Sequence, residues 1–173
     1  ISNLYVVPVH LNSQSVLFHP FDEAQNVSIA SMLRARAFAM PSISVSLFAA
    51  VLPEDASIVP TSFESFPLFR STQTEFPSSL PKLNHKKLSL VDDMLAISKE
   101  GDFDYIVFTN SDIGLHDSFY NKIASIIENG YDAFTINRKT IAKKQDGRLF
   151  TGNDLDLMFA LISGGTNHWG MDC

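Results

Sequence analysis

The stretch Phe103-Asp-Tyr-Ile-Val-Phe-Thr-Asn-Ser-Asp-Ile-Gly114 decides how the fold is interpreted. Its centre, residues 105–109, is a run of apolar and β-branched side chains without regular polar alternation. Such a run is typical of a strand buried on both faces, as in a parallel sheet covered by helices. We therefore predict a central strand here, with Asp112 exposed in a cleft at its carboxyl end.

The chain before this strand shows the patterns of a strand, a helix, a second strand, a proline-rich excursion and a second helix. These elements are expected over residues 4–9, 26–39, 43–52, 53–81 and 88–101. The excursion contains five of the eight prolines and is predicted to run irregularly over the surface. Pro41 is expected to stop the first helix.

Three more elements are predicted after the strand: a helix capped by Asp117 or Ser118, a strand and a short helix. They are expected up to Gly130, over residues 131–137 and over residues 154–163. This alternation predicts an α/β fold, a mainly parallel sheet with helices on both faces. The length fits one domain over residues 1–173. Because the sequence stops just after a Gly-Gly and a His-Trp-Gly stretch, we expect the domain to lack its C-terminal part.

Composition excludes several classes of protein. Apolar residues make up 45% and charged residues 18%, a globular balance. A net charge of −6 argues against a general nucleic-acid binder. The single cysteine, Cys173, excludes an internal disulfide and a cysteine-based zinc site, and it favours a cytoplasmic location. The longest uncharged stretch, residues 37–53, contains prolines and serines and is too short and polar to span a membrane.

Several pairs of acidic or amide side chains compete as the chemical centre. They are Asp92 with Asp93, Asp102 with Asp104, Asn110 with Asp112, and Asp154 with Asp156. Only Asn110 and Asp112 directly follow the carboxyl end of a predicted buried strand, where open α/β sheets bind ligands. Asp112 can bind a divalent cation, Asn110 can add a neutral oxygen ligand, and Gly114 is expected to allow a tight turn beside the ligand. The alternative is an Asx-type turn that merely ends the strand.

The stretch 103–114, followed by a helix and by Gly130-Tyr-Asp-Ala-Phe-Thr-Ile-Asn-Arg138, resembles the central portion of GT-A-fold glycosyltransferases. In that superfamily a strand ends in an Asp-x-Asp motif that holds Mg²⁺ or Mn²⁺ against the diphosphate of a nucleotide sugar. The resemblance implies a Rossmann-like fold of the GT-A type, with Asn110 and Asp112 at the metal. Asn110 stands where the superfamily has Asp, which removes one negative charge.

The resemblance also gives a role to Asn167-His-Trp-Gly-Met-Asp172 at the end of the chain. It implies that Asp172 is the base for the acceptor hydroxyl, that His168 contacts metal or phosphate, and that Trp169 packs on a sugar. The alternative is a plain turn with Trp169 buried. His10, after the first strand, is expected to line the nucleotide pocket. A basic cluster is expected either to assist the phosphates or to be a solvated loop: Arg138, Lys139, Lys143, Lys144 and Arg148.

Three functions stay open at this point. The first is a glycosyltransferase that moves a sugar from a nucleotide-sugar donor to an unidentified hydroxyl acceptor. The second is a nucleotidyltransferase, although His10-Leu-Asn-Ser-Gln-Ser15 lacks the glycine and the basic residue usual after the first strand of such enzymes. The third is a nucleotide- or sugar-binding module without catalysis, which agrees with Asn110. The sequence contains no P-loop, no Gly-x-Gly-x-x-Gly and no Gly-x-Ser-x-Gly motif.

Overall fold

A computed structural model describes residues 2–6, 20–68, 70, 90, 92–93, 95–96, 103–110, 112–141, 144 and 146–167. The chain divides into two compact units. The first unit combines Ile1–Val16 with Ser46–Asn110, and the second combines Leu17–Val45 with Ser111–Cys173. Each unit is therefore built from two separate stretches of sequence.

The first unit contains a four-stranded parallel sheet in the spatial order β3-β2-β1-β4. Its strands are β1 (Ser2–Val6), β2 (Ser46–Val51), β3 (Glu64–Pro67) and β4 (Ile106–Asn110). A 3-10 helix, Pro53–Ile58, follows β2 and has its proline at the first position, where a missing N–H costs least. The strands predicted over residues 4–9, 43–52 and 105–109 are thus present in β1, β2 and β4.

The strand buried on both faces is β2. One of its faces carries Ala50, which clusters with Leu52, just after the strand, and with Leu68, just after β3. The opposite face carries Leu47, Ala49 and Val51, all almost fully buried. An inner strand of a parallel sheet is expected to be apolar on both sides, and β2 fits that description.

The prediction that residues 105–109 form a central strand is wrong for the described sheet. β4 is the outermost strand beside β1, with Ile106, Val107 and Phe108 half-buried and only Thr109 buried. The predicted strand over residues 131–137 does not form, so in the described sheet no strand pairs with the free side of β4. Side chains there alternate between exposed and half-buried from residue 133 to 138, as in a strand, but without a ladder of backbone hydrogen bonds.

The second unit is mainly helical. It contains α1 (Pro20–Ala37), α2 (Phe119–Glu128) and α3 (Leu155–Ala160), with 3-10 helices at Gly152–Asp154 and Ile162–Gly164. A small antiparallel ribbon pairs β5 (Lys139–Thr140) with β6 (Thr166–Asn167). The buried side chains of this unit include Val27, Met32, Ala35, Tyr120, Ile123, Leu155 and Met158.

The helix predictions agree with the structure, apart from the helix limits. α1 begins at Pro20, six residues before the predicted start, and ends at Ala37, ahead of Pro41. Residues 92–93 and 95–96 are helical, as the second predicted helix requires. The proline-rich excursion holds the unpredicted strand β3. The chain is therefore α/β with a parallel sheet, as predicted. No helix in the described ranges is long and apolar enough to cross a membrane.

Candidate functional site

The carboxyl ends of the four parallel strands lie along one edge of the sheet. At this edge Val6 of β1 is the register partner of Asn110 of β4. Strands β2 and β3 lie on one side of β1, and β4 lies on its other side. The strand order therefore reverses between β1 and β4, and in open α/β sheets such a switch point is where ligands bind.

Asn110 occupies this switch point. It is the last residue of β4 and its side chain is exposed, while the preceding Thr109 is 2% exposed. The buried threonine fixes the end of the strand, so that the amide of Asn110 projects from a rigid element. Asn110 therefore lies at the carboxyl end of a strand, but this strand is outermost and mostly half-buried in the described sheet, not buried as predicted.

Asp112 belongs to the second unit, where it lies exposed in a turn. The segment after it is held on α1 by two hydrogen bonds. The Ser28 hydroxyl donates to the carbonyl of Ile113 at 2.8 Å, and the N–H of Leu115 donates to the Ser31 hydroxyl oxygen at 2.8 Å. Ile113 and Leu115 are themselves buried, so Asp112 is presented next to a well-anchored backbone.

Gly114 has a different role from the one predicted. Its φ is not positive, so it makes no special turn. A Cβ at this position would lie 3.0 Å from the terminal methyl of Met158 and 3.6 Å from a methyl of Val27. The glycine therefore allows the segment after Asp112 to pack closely on α1 and α3.

Arg34 forms an ion-pair cluster that the sequence did not predict. Its guanidinium lies 2.8 Å from the carboxylate of Asp117 and 2.6 Å from that of Asp156. Hydrogen bonds to Asp156 and then to Asp117 raise the pKa of Arg34 above its ordinary value. Nothing in the sequence links three residues so far apart in the chain. Asp117, a predicted helix cap, is instead a partner of Arg34.

Two members of the basic cluster are also paired with carboxylates. The Lys144 ammonium lies 2.6 Å from Asp154, and the Arg148 guanidinium lies 3.0 Å from Asp146. Both would have to leave a carboxylate to bind a phosphate. Lys139 is exposed in β5, and Arg138 is half-buried just before it. The predicted phosphate contact of these two residues stays a prediction.

Five residues with predicted roles lie outside the described part of the chain: His10, Lys143, His168, Trp169 and Asp172. The predicted metal ligands Asn110 and Asp112 are both exposed oxygen donors. Mg²⁺ and Mn²⁺ accept such ligands, and Mg²⁺ is commonly held by one or two carboxylates together with water and substrate phosphates. Among the described residues no group of three or more His, Cys, Asp or Glu side chains could hold a metal ion. The binding of a cation by Asn110 and Asp112 stays a prediction.

No protein family, curated protein or solved structure matches this chain.

Proposed function

We propose that the chain is a glycosyltransferase domain that binds a nucleotide-sugar donor at the carboxyl edge of the parallel sheet. One observation carries this proposal: the order β3-β2-β1-β4, with Asn110 in register with Val6 at the point where the order reverses. This is the order of the first four strands of the doubly wound nucleotide-binding sheet, 3-2-1-4-5-6. It supports a Rossmann-like arrangement of the GT-A type, although β4 is outermost among the described strands.

In such a reaction, metal binding, nucleotide binding and proton transfer would be carried out by different residues. Asn110 and Asp112 would hold a divalent cation, whose charge would stabilise the departing diphosphate. Arg138 and His10 would contact the nucleotide, and His168 would add a metal or phosphate contact. Asp172 would take the proton of the acceptor hydroxyl, since an attacking oxygen needs a base within hydrogen-bond reach.

The first test concerns donor binding. Titration calorimetry should show UDP or GDP binding more tightly in Mn²⁺ than in EDTA, with Asp112→Ala removing the metal-dependent part. Asp104→Ala is the matched control, because Asp104 is an exposed carboxylate at the other end of β4. Asn110→Asp, which restores a second charge, should strengthen the metal dependence. Equal nucleotide affinity with Mn²⁺ and with EDTA would rule out the metal-based mechanism.

The second test concerns the base. With a donor that binds, Asp172→Asn should lower turnover by on the order of 10²-fold or more while donor affinity stays unchanged. The substitution keeps the shape of the side chain and removes its ability to take a proton. Unchanged turnover would exclude Asp172 as the base.

A binding module without catalysis is the second candidate, because Asn110 replaces a carboxylate at the switch point. Donor hydrolysis separates the two functions: a transferase slowly passes the sugar to water, whereas a binding module leaves the donor intact. Nucleotide binding with no release of free sugar, even after Asn110→Asp, would favour the module.

A further inference from the structure

His116 lies beside the amino end of α2 and contacts the backbone there. Its Nδ1 accepts a hydrogen bond from the N–H of Ser118 at 3.2 Å and lies 2.9 Å from the Ser118 hydroxyl oxygen. Ser118 occupies the N-cap position of α2, yet its own side chain makes no capping hydrogen bond. The imidazole therefore satisfies a backbone donor just before the helix.

This contact determines where the proton of the neutral ring resides. A backbone N–H can only donate, so Nδ1 must offer its lone pair and cannot carry hydrogen. The neutral imidazole then has its proton on Nε2. The Ser118 hydroxyl can rotate, and in this tautomer it donates to the same nitrogen.

The other face of the ring packs on α3. The His116 and Phe159 rings have centroids 4.9 Å apart, and the Arg34 guanidinium lies 5.7 Å from the centroid of Phe159. Charged side chains on the elements around His116 include Arg34 of α1, Asp117 of its own segment, Asp156 of α3 and Lys122 in the first turn of α2. Because Arg34 is paired with both carboxylates, neither carboxylate is a free counter-ion for a charged imidazole.

We propose that His116 is a proton-operated cap that holds the start of α2 when neutral and releases it when protonated. Protonation places hydrogen on Nδ1 and turns this atom from an acceptor into a donor. It can then still donate to the Ser118 hydroxyl oxygen, but it can no longer accept the Ser118 N–H. A positive charge at the amino end of a helix is also opposed by the helix dipole.

The consequence is local loosening as the medium becomes acidic. The Ser118 N–H loses its protein acceptor, and the segment between Asp112 and α2 is less firmly joined to the helix. The hydrogen bonds from Ser28 and to Ser31 do not titrate, so the backbone at Ile113 and Leu115 stays anchored. The inference does not depend on the proposed function.

The test uses NMR on the unmodified protein. Long-range ¹H–¹⁵N correlations at neutral pH should show His116 with its proton on Nε2. On acidification the Ser118 amide shift should follow the His116 ring signals, and its hydrogen exchange, corrected for pH, should become faster by roughly fivefold or more. A neutral ring with its proton on Nδ1, or a Ser118 amide that ignores the His116 titration, would overturn the proposal.

Two variants complete the experiment. His116→Asn offers a side-chain oxygen that accepts the N–H at every pH, so the acid-induced change at Ser118 should disappear. His85→Gln is the control for histidine titration elsewhere in the chain and should leave the change intact. Persistence of the change in His116→Asn would show that another group causes it.

Discussion

The carboxylate of Asp154 is expected to make the stability of the fold depend on pH. It accepts hydrogen bonds from the Lys144 ammonium at 2.6 Å and from the N–H and hydroxyl of Thr151 at 2.8 and 2.7 Å. Lys144 first, and Thr151 next, lower the pKa of Asp154 from 3.8 to about 2. A depressed pKa adds stability above the unfolded value, and this stability is lost as the pH falls toward the folded value.

This direction of the pH dependence leads to a prediction for Asp154. Asp154→Asn should melt at a lower temperature than the parent protein at pH 6, and the difference should shrink as the pH falls from about 4 to about 2. Thermal melts followed by circular dichroism between pH 2 and 6 would measure it. A difference that stays constant over this range would mean that the ionised form of Asp154 contributes nothing to stability.

The sequence predicts the secondary-structure position of Asp156 but not its ion-pair partner. The helix predicted over residues 154–163 has Asp156 in its first turn, where carboxylates are favoured, and Asp156 lies in the first turn of α3. Its ion pair with Arg34 could not be predicted, because helix periodicity says which face a residue occupies and not what packs there. The roles of Asp112 and Asp172 rest on resemblance and stay predictions.

At the scale of elements, the sequence predicted those strands and helices that have apolar patterns. It missed β3, where Glu64-Ser-Phe-Pro67 is short, mostly exposed and ends in proline. Such a sequence is tolerated because β3 is an outer strand, which needs no apolar alternation and can accommodate proline. Residues 131–137 are the opposite case: their sequence has a strand-like pattern, but they have no hydrogen-bonded neighbouring strand and form no strand.

The ribbon of β5 and β6 leads to a prediction about Gly165. A Cβ at this residue would lie 3.1 Å from the carbonyl oxygen of Thr140 and 3.3 Å from that of Ile162. Backbone atoms cannot move aside cheaply, so Gly165→Ala should destabilise the second unit by about 1–3 kcal/mol. Cross-strand NOEs between residues 139–140 and 166–167 should weaken. The adjacent Gly164 has no such neighbour within 4 Å, so Gly164→Ala is the matched control and should preserve the ribbon. Equal effects of the two variants would contradict the steric argument.

At the scale of the whole molecule, the α/β class followed from the order of elements, whereas the position of each strand did not. Pairing of β1 with both β2 and β4 joins segments far apart in the chain, and local patterns carry no record of such partners. The pattern of β4 therefore predicts an inner strand, whereas β4 is an outer strand of the described sheet and β2 is an inner one. The same pairing places Asn110 at the carboxyl end of an outer strand, next to the point where the strand order reverses.

The division into two units makes a last prediction possible. Each unit combines two stretches of sequence, so the chain passes between the units at residues 16–17, 45–46 and 110–111. If the second unit unfolded alone, α1 would become a flexible loop joining β1 to β2. The folded first unit would hold the ends of this loop together, and the closed loop has less entropy than a free chain, which makes unfolding of the second unit alone less favourable. Because the same chain threads both units, we expect them to unfold together.

Ile123→Ala tests this expectation. Ile123 is 1% exposed in the second unit, and its truncation should cost about 2–5 kcal/mol. Hydrogen exchange governed by global unfolding should then accelerate by the same factor in β2 of the first unit as in α2 of the second. Ile127→Ala, at a half-buried position of the same helix, should give a smaller and equally shared effect. Acceleration confined to the second unit would show that the threaded chain does not couple the two units, and that α1 and α2 can open while the parallel sheet stays folded.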